Sequence, residues 1–589
     1  MPLAAVRSRL AKHFGSAPSA PALAVAFALS VALSVALSSR AHAQAGNAVK
    51  CEGQIISDIQ VQTRPPYYPR HGKWWESPIG ILSSIHTNTK PEIVRRFLIV
   101  EPGQACDDRR RSESERLLRA QPFIASASVK AYDDGNGGVI IVAQTTDELT
   151  TILDAGTSPT SPYLSTITLG EGNFRGDAKY VSAHWAHGKY RDYFGANYTD
   201  YQFLGRPWHL DLQGLRGDAG ISSWLVGAEH PYLTDEQRFA WRAVALDHQD
   251  LYSFRRTNDT SAVIDFSRKF VDVGGLVRLG QPGRLSLFGM SISSEDDTPA
   301  LPPEPTPGVP YDTLMTILGR HKNARLNLLW GIRSIDFVRV ERFDALTAAQ
   351  DVQAGFQLGT ILGRSLEVLG STDDDIFLAS TLYAGAGDRH TFAYLQSTVE
   401  GRNNYSNDKW DGIVGSAHIQ MYQRLMGSHT LVGSVDWAGI WKQRVPVQLP
   451  LGELGGGVRG YHSSPDAGNI RFVSRLEDRW YLGKLRDQAD IGMAVFGDAG
   501  RVWEGDAPLG YGDTSPLKFG AGLGVLVAVP PGSKVTYRLD IARALSRDLR
   551  ARWEFRVSFT NAARLVYREP RDVRSGRELV TPGSVFTWP

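Results

Sequence analysis

Short segments that alternate between apolar and polar residues recur along the C-terminal two thirds of the sequence. In 551–559 the odd positions are apolar and the even positions are polar, and 535–541 repeats the pattern. Because successive side chains of a strand point to opposite faces, each segment predicts a strand with one apolar and one polar face. The region 151–560 shows no helical period, which predicts an all-β fold. The apolar face of the last strand comprises Trp553, Phe555, Val557 and Phe559.

The N-terminus has the pattern of a secretory signal peptide. An apolar, alanine-rich core at 22–37 leads to the A-x-A cleavage site Ala41-His42-Ala43. The basic residues that precede the core are Arg7, Arg9 and Lys12. We predict that residues 1–43 are a signal peptide that directs export; the alternative is an uncleaved membrane anchor.

The apolar faces of the predicted strands need a cover. A soluble, half-buried sheet would also alternate, but the region 151–560 has no second layer of helices to pack on it. Outside the N-terminus, no stretch approaches the ~18–20 continuous apolar residues that a spanning helix requires. Lipid cannot satisfy the hydrogen bonds of an open sheet edge. If this protein is in a membrane, we therefore expect it to span the membrane as a closed β-barrel.

The region 44–150 is predicted to be a small α/β domain. Its order is strand, helix, helix, strand, strand, and Thr89-Lys90-Pro91-Glu92 has the pattern of a capping box at the start of the first helix. In the second helix, Leu117 and Leu118 are expected to face the core while the arginines stay solvated. The predicted elements are a strand at 53–63, a helix from Pro91, a helix at 108–120, and strands at 125–132 and 138–145.

The only two cysteines of the sequence, Cys51 and Cys106, fall within this domain. In an oxidising periplasm a disulfide between them is plausible. Two buried free thiols are the alternative.

The segment Val458-Arg459-Gly460-Tyr461 follows a glycine-rich stretch and precedes Phe496-Gly497-Asp498-Ala499-Gly500 by one predicted strand pair. A cation on a flexible loop reaches a buried anion only if the barrel lumen has room for a backbone turn. Strand parity places Phe496 and Asp498 on the lumen side, together with Glu477 on the preceding strand. For Asp498, the alternative is an ordinary turn aspartate ahead of Gly500.

These motifs resemble the signature of the BamA/TamA outer-membrane superfamily, in which a loop arginine pairs with the aspartate of F-x-D-x-G inside the barrel. The passage 116–124 resembles the route from second helix to second strand in that family's POTRA domain. The resemblance implies a transmembrane barrel of about sixteen antiparallel strands, preceded by one POTRA domain. It also implies a loop–lumen latch built from Val458, Arg459, Gly460, Tyr461, Phe496, Asp498, Gly500 and Glu477.

Two features depart from the family pattern. Family barrels usually end at a terminal aromatic residue, whereas here Phe559 is followed by a tail at 561–589, which we expect to emerge on the periplasmic side. There is also only one POTRA domain, and residues 44–50 leave no room for an N-terminal plug helix. The chain therefore looks like an accessory member of the superfamily.

Composition and motifs exclude several other classes of function. The chain has 64 basic and 62 acidic residues, so no excess of positive charge suggests a nucleic-acid partner. It contains no Gly-x-Ser-x-Gly, no His-Glu-x-x-His and no phosphate-binding loop. We therefore expect no enzymatic activity, no cofactor and no metal.

The sequence predicts a barrel in the Gram-negative outer membrane that assists insertion or translocation of other outer-membrane or surface proteins. Its expected partners are outer-membrane lipid, unfolded client proteins and a possible periplasmic protein bound by the POTRA domain. The alternative for the POTRA domain is a spacer that only orients the barrel. Client strands are expected to pair at the seam between the first strand, near 163–170, and the last, at 551–559. The alternatives are a passive ion or solute channel and a dedicated secretion pore for one partner.

Overall fold

The computed structural model describes residues 48–66, 86–157, 164–187, 192–218, 222–254, 262–452, 456–461, 464–545, 553–562 and 567–586. The chain separates into two units, Met1–Val49 and Lys50–Pro589, and everything described below belongs to the second unit apart from residues 48 and 49. The predicted signal peptide at 1–43 lies outside the described residues.

A four-stranded sheet with two helices, called the N-terminal sheet below, begins the described chain. Its strand order is β2-β1-β4-β3, with β1 parallel to β4 and the other pairs antiparallel. The short edge strand β2 was not expected from the sequence. The elements are β1 (Glu52–Arg64), α1 (Pro91–Arg96), β2 (Ala105–Asp107), α2 (Asp108–Ala120), β3 (Ile124–Asp133) and β4 (Val139–Asp147).

The expected capping box at α1 is not formed. Lys90 is the N-cap residue and makes no side-chain cap hydrogen bond. Thr89 instead donates from its amide and its hydroxyl to the Asp147 carboxylate, at 2.6 and 2.9 Å. Thr89 binds Asp147 and does not cap the helix, because a charged acceptor makes a stronger hydrogen bond than a neutral one.

A closed antiparallel barrel follows, and it confirms the predicted fold class. The described residues form twenty barrel strands, so the expected number of about sixteen is wrong. The strands are β5 (Thr151–Thr157), β6 (Leu164–Glu171), β7 (Lys179–His187), β8 (Asp192–Asp200), β9 (His209–Gly217), β10 (Ser222–His230), β11 (Phe239–Phe254), β12 (Ala262–Gln281), β13 (Arg284–Ala300), β14 (His321–Glu341), β15 (Ala349–Ser365), β16 (Asp375–Gly387), β17 (Thr391–Asn404), β18 (Lys409–Arg424), β19 (His429–Trp441), β22 (Ile470–Leu485), β23 (Ala489–Trp503), β24 (Lys518–Ala528), β25 (Val535–Ala544) and β26 (Trp553–Asn561).

The seam of the barrel lies where β26 neighbours β5. The first barrel strand is therefore Thr151–Thr157, and the segment 163–170 that was expected to be first belongs mainly to the second strand. The sequence misled because strands β5 to β10 have only seven to nine residues and carry no clean alternation. Below, the near end of the barrel is the end where β5 starts, and the far end is the opposite one.

Side-chain exposure follows the predicted parity of the last strands. Trp553, Phe555, Val557 and Phe559 are 59–77% exposed on the outside of β26. On β23, Phe496 and Asp498 point inward and are each 3% exposed. This apolar outer surface has the arrangement of a barrel that faces lipid. Among the described helices, none is both long and apolar enough to cross a membrane.

In the described part of the chain, two segments lie inside the barrel lumen. The first is the long loop at 442–469, which carries the short strands β20 (Leu449–Pro450) and β21 (Ala467–Gly468) and enters from the far end. The second is the C-terminal segment, residues 567–586, with the short helices α4 (Arg571–Ser575) and α5 (Pro582–Val585). The remaining helix, α3 (Tyr311–Leu318), belongs to neither segment and lies in the connection between β13 and β14. The expectation that the tail emerges on the periplasmic side is wrong for this segment, because strand residues pair with its charged side chains inside the barrel.

Candidate functional site

The tip of the long loop reaches the barrel wall through glycines at which no side chain fits. Gly460 has φ = +90°, and a Cβ placed on it would lie 2.7 Å from the amide nitrogen of Ala544. A Cβ on Gly520, in β24, would lie 2.1 Å from the carbonyl oxygen of Arg459. Real Cβ atoms do not approach other heavy atoms this closely, so both close contacts of the loop require glycine.

Arg459 at the loop tip makes a bidentate ion pair with Asp498. Its Nε and Nη2 atoms donate to the two carboxylate oxygens of Asp498, each at 2.7 Å, and its backbone amide donates to the same carboxylate at 3.1 Å. Arg459 is 6% exposed. Asp498 lies within β23 and is paired on both sides, so it is not the turn aspartate considered above.

Glu477, which the sequence placed on the lumen side, binds three arginines. It accepts from Arg459 at 3.2 Å, from Arg538 at 2.7 Å and from Arg479 at 2.5 Å. Arg538 also binds Asp540 at 2.6 Å. Three arginines and three carboxylates therefore form one neutral network in the lumen. Strand parity places Arg479, Arg538 and Asp540 inward, which was the available signal for the three residues that sequence reasoning left out of the site.

The remaining predicted latch residues hold the loop by packing. The guanidinium of Arg459 lies 3.5 Å from the ring centroid of Phe496, a cation–π contact. Gly500 admits the side chain of Val458, since a Cβ there would lie 2.5 Å from Val458 Cγ2. The hydroxyl of Tyr461 donates to the carbonyl of Phe519 at 3.2 Å. The structure thus brings all eight predicted latch residues to one place.

Helix α2 of the N-terminal sheet docks onto the near end of the barrel through arginines that were expected to be solvated. Arg119 is 8% exposed and donates to both carboxylate oxygens of Asp351 in β15, at 2.9 and 2.8 Å. Arg116 is 3% exposed and donates to the carbonyl of Leu233 at 2.8 Å. A helical hydrophobic pattern does not reveal such contacts because their partners are charged and polar.

A second contact joins the N-terminal sheet to the turn between β24 and β25. The carboxylate of Glu148 accepts from Ser533 Oγ at 2.5 Å and from the Lys534 amide at 2.8 Å. The Lys534 ammonium donates to the carbonyl of Gln121 at 2.9 Å. Burial raises the pKa of Glu148 and lowers the pKa of Lys534 to about 8, although each charge opposes the shift of the other. Because burial disfavours both charged forms, this contact specifies the docking geometry more than it adds stability.

Comparisons with known proteins are limited to structure. No protein-family model matches the sequence, and no curated protein matches it. The fold is similar to BamA from Haemophilus ducreyi lacking POTRA domains 1–3, with 14% identity, 86% of this chain and 85% of that chain covered, and a TM-score of 0.36. It is also similar to CdiB from Acinetobacter baumannii, with 10% identity, 86% and 73% covered, and a TM-score of 0.38. The alcaligin outer-membrane receptor FauA from Bordetella pertussis matches with 9% identity, 75% and 72% covered, and a TM-score of 0.30. TM-scores this low carry no functional argument.

Cys51 and Cys106 are joined by a disulfide that links the chain just before β1 to the edge strand β2. Both residues are buried. In the described part of the chain, no group of three or more His, Cys, Asp or Glu side chains is placed to hold a metal ion.

We expect the double variant Cys51→Ala/Cys106→Ala to lower the free energy of unfolding of the N-terminal sheet by at most ~4 kcal/mol, because the bond restricts a long loop in the unfolded chain. Urea unfolding followed by hydrogen exchange in β1 and β4 measures the loss. Ala105→Ser, at the exposed position beside Cys106, is the control. Two alkylatable thiols in protein taken directly from cells would contradict the bond itself.

Proposed function

We propose that this chain is an outer-membrane barrel of the BamA/TamA type that assists insertion or translocation of outer-membrane or surface proteins. The observation that carries the proposal is the long loop folded into the lumen, with Arg459 bound to both carboxylate oxygens of Asp498. A solute pore has no need of a loop held by so specific a pair across its interior. The proposed action is non-covalent and needs no cofactor.

In this proposal the N-terminal sheet is a periplasmic POTRA domain that binds an extended client by strand addition. Strand β3 is the outermost full-length strand of that sheet, so its outer edge is the proposed docking position. Arg111 and Glu115 of α2 bind the backbone of Val129 on this edge, and a client strand would displace them there. Client strands would then pair at the seam between β26 and β5, the only place where the two ends of the barrel sheet meet.

Reconstitution in liposomes tests the proposal. Candidate unfolded barrels should fold faster with the wild-type protein than with Asp498→Asn, which keeps the size of the side chain and removes the charge that Arg459 binds. Asp296→Asn, at an ion pair with the largely exposed Arg320, is the matched control. Ion conductance without any acceleration of client folding would favour a passive channel, and acceleration confined to one partner would favour a dedicated secretion pore.

Localisation gives a separate prediction. The mature protein should begin near Gln44, fractionate with the outer membrane and migrate differently on gels before and after heating, as closed barrels do. Membrane fractionation and N-terminal sequencing are the measurements. Extraction with the inner membrane, or retention of residues 7–43 in the purified chain, would contradict this part of the proposal.

A further inference from the structure

The C-terminal segment lies along the lumen wall from the middle of the barrel toward the far end and back. Near its start, the ring of Tyr567 stacks on His418 of β18, with centroids 3.8 Å apart. Arg577 and Glu578 then lie against the far halves of β14 and β17. The segment returns to the middle of the lumen, where Gln357 of β15 donates to the carbonyl of Phe586 at 2.7 Å. Both halves of the segment are thus bound to the wall.

Buried ion pairs hold the turn of the C-terminal segment. The carboxylate of Glu578 accepts from Arg325 at 2.5 Å and from Arg402 at 2.7 Å. The neighbouring Arg577 donates to Glu400 at 3.4 Å, and these five residues are between 1% and 6% exposed. Charge-assisted hydrogen bonds of this kind are strong and directional. The wall therefore presents a built site for an acidic residue and the basic residue before it.

An apolar patch on the wall receives the last residues of the segment. Leu287, Leu329 and Ile361 point into the lumen, where alternation favours polar residues, and each is at most 3% exposed. They pack in one cluster with Val580 and Phe586 of the C-terminal segment. In an empty lumen these side chains would face water, which is unfavourable for contiguous apolar surface. The lumen-facing positions of the wall are therefore apolar, and not polar as is usual for a barrel, where the C-terminal segment covers them.

Two wall glycines are shaped to the same aromatic ring. A Cβ on Gly359 of β15 would lie 2.7 Å from a ring atom of Phe586, and one on Gly331 of β14 would lie 3.1 Å from that ring. The glycines of these adjacent strands form the floor of a pocket for one aromatic side chain. Beside them, the cavity left between the wall and Ser584 measures only ≈ 30 Å³, roughly the room for a single water molecule.

We propose that the lumen is a receptor for an extended peptide and that the C-terminal segment is its resident ligand, which plugs the pore. The site selects an acidic residue, at the position of Glu578, and an aromatic residue eight positions later, at that of Phe586. Unfilled barrels of about 16–18 strands leave an aqueous channel, so departure of the segment from a twenty-stranded barrel should open a path for ions past the long loop. The proposal does not depend on a role in protein insertion.

Single-channel conductance in planar bilayers tests the proposal on the full chain, on a chain truncated after Val566, and on Glu578→Arg. Truncation removes the plug, and Glu578→Arg places a third guanidinium beside Arg325 and Arg402, so both variants should conduct severalfold more than the full chain. A synthetic peptide of residues 567–589 should close the truncated pore, whereas a scrambled peptide should not. The charge swap Glu578→Arg/Arg402→Glu should return the conductance toward the wild-type level.

Arg574→Glu is the matched control, because it reverses a charge on an exposed position of the same segment and should leave the conductance unchanged. Folding of each variant is checked by heat-modifiable migration. If the truncated chain does not fold, the conductance of the Glu578→Arg variant alone tests the proposal. Conductance of Glu578→Arg at the wild-type level, or failure of the peptide to close a folded truncated pore, overturns the proposal.

Discussion

Arg459→Ala and Asp498→Ala should each destabilise the closed barrel and impair client folding, and the double variant should do less damage than the sum of the two. Each partner is nearly fully buried, and removing one strands the charge of the other, which costs ~3–5 kcal/mol in buried pairs. For Asp498→Ala we expect a loss of stability below this range, because Arg459 keeps its contact with Glu477. The functional loss should be the larger of the two.

A double-mutant cycle measures this coupling, with thermal unfolding and client folding as separate readouts. The control cycle uses Arg320 and Asp296, a bidentate pair in which the arginine side chain is 63% exposed. Exposed pairs contribute ~0.2–1 kcal/mol, so the control coupling should be small. Strict additivity of Arg459→Ala and Asp498→Ala in both readouts would mean that the two side chains do not communicate, and the latch would have to be abandoned.

Arg119→Ala should weaken the docking of the N-terminal sheet on the near end of the barrel, although Arg116 and Glu148 keep their contacts there. Asp351, which is 8% exposed, then loses the guanidinium that binds both its oxygens. Leaving this carboxylate buried and unpaired costs on the order of 3 kcal/mol, which corresponds to roughly a hundredfold loss of docking at about 1.4 kcal/mol per factor of ten. The barrel itself should remain closed, because its strand ladder does not involve Arg119.

Hydrogen exchange of the backbone amides in α2 measures the release of the sheet. Arg109→Ala serves as the control, since this arginine lies on the same helix but is exposed. Protection of α2 that is equal in Arg119→Ala and Arg109→Ala would show that the Arg119–Asp351 pair does not hold the sheet in place.

The prediction of the loop site came from the resemblance of its two motifs to a family signature, and local signals in the strands agreed with it. Parity along one strand places Asp498 inward whatever the rest of the barrel does, and Gly460 marks a close approach. The strand number was not accessible in this way. Segments of seven to nine residues such as β5 carry too few alternating positions to be recognised as strands. The expected number of strands therefore came from the family resemblance.

The role of the C-terminal segment could not be predicted because its partners are distant in sequence. Glu578 meets Arg325, which lies 253 positions earlier, and no local period reports such a contact. One signal was present nevertheless: Leu329 and Gly331 interrupt the polar face of β14 with apolar or absent side chains. An interruption of alternation on a lumen face indicates that something other than water lies against it.

The contact between Glu148 and the turn at Lys534 has a consequence for the cooperativity of the whole chain. Glu148 comes three residues before β5, and Lys534 comes immediately before β25, which pairs with β26. The N-terminal sheet therefore ties the first barrel strand to the last hairpin independently of the hydrogen bonds between β5 and β26. Separation of β5 and β26 at the near end should strain the docking contact as well as break the ladder. The free energy needed to open the seam therefore depends on the ladder and on the docking contact together. Loosening the N-terminal sheet should lower that free energy while the closed barrel stays the stable state.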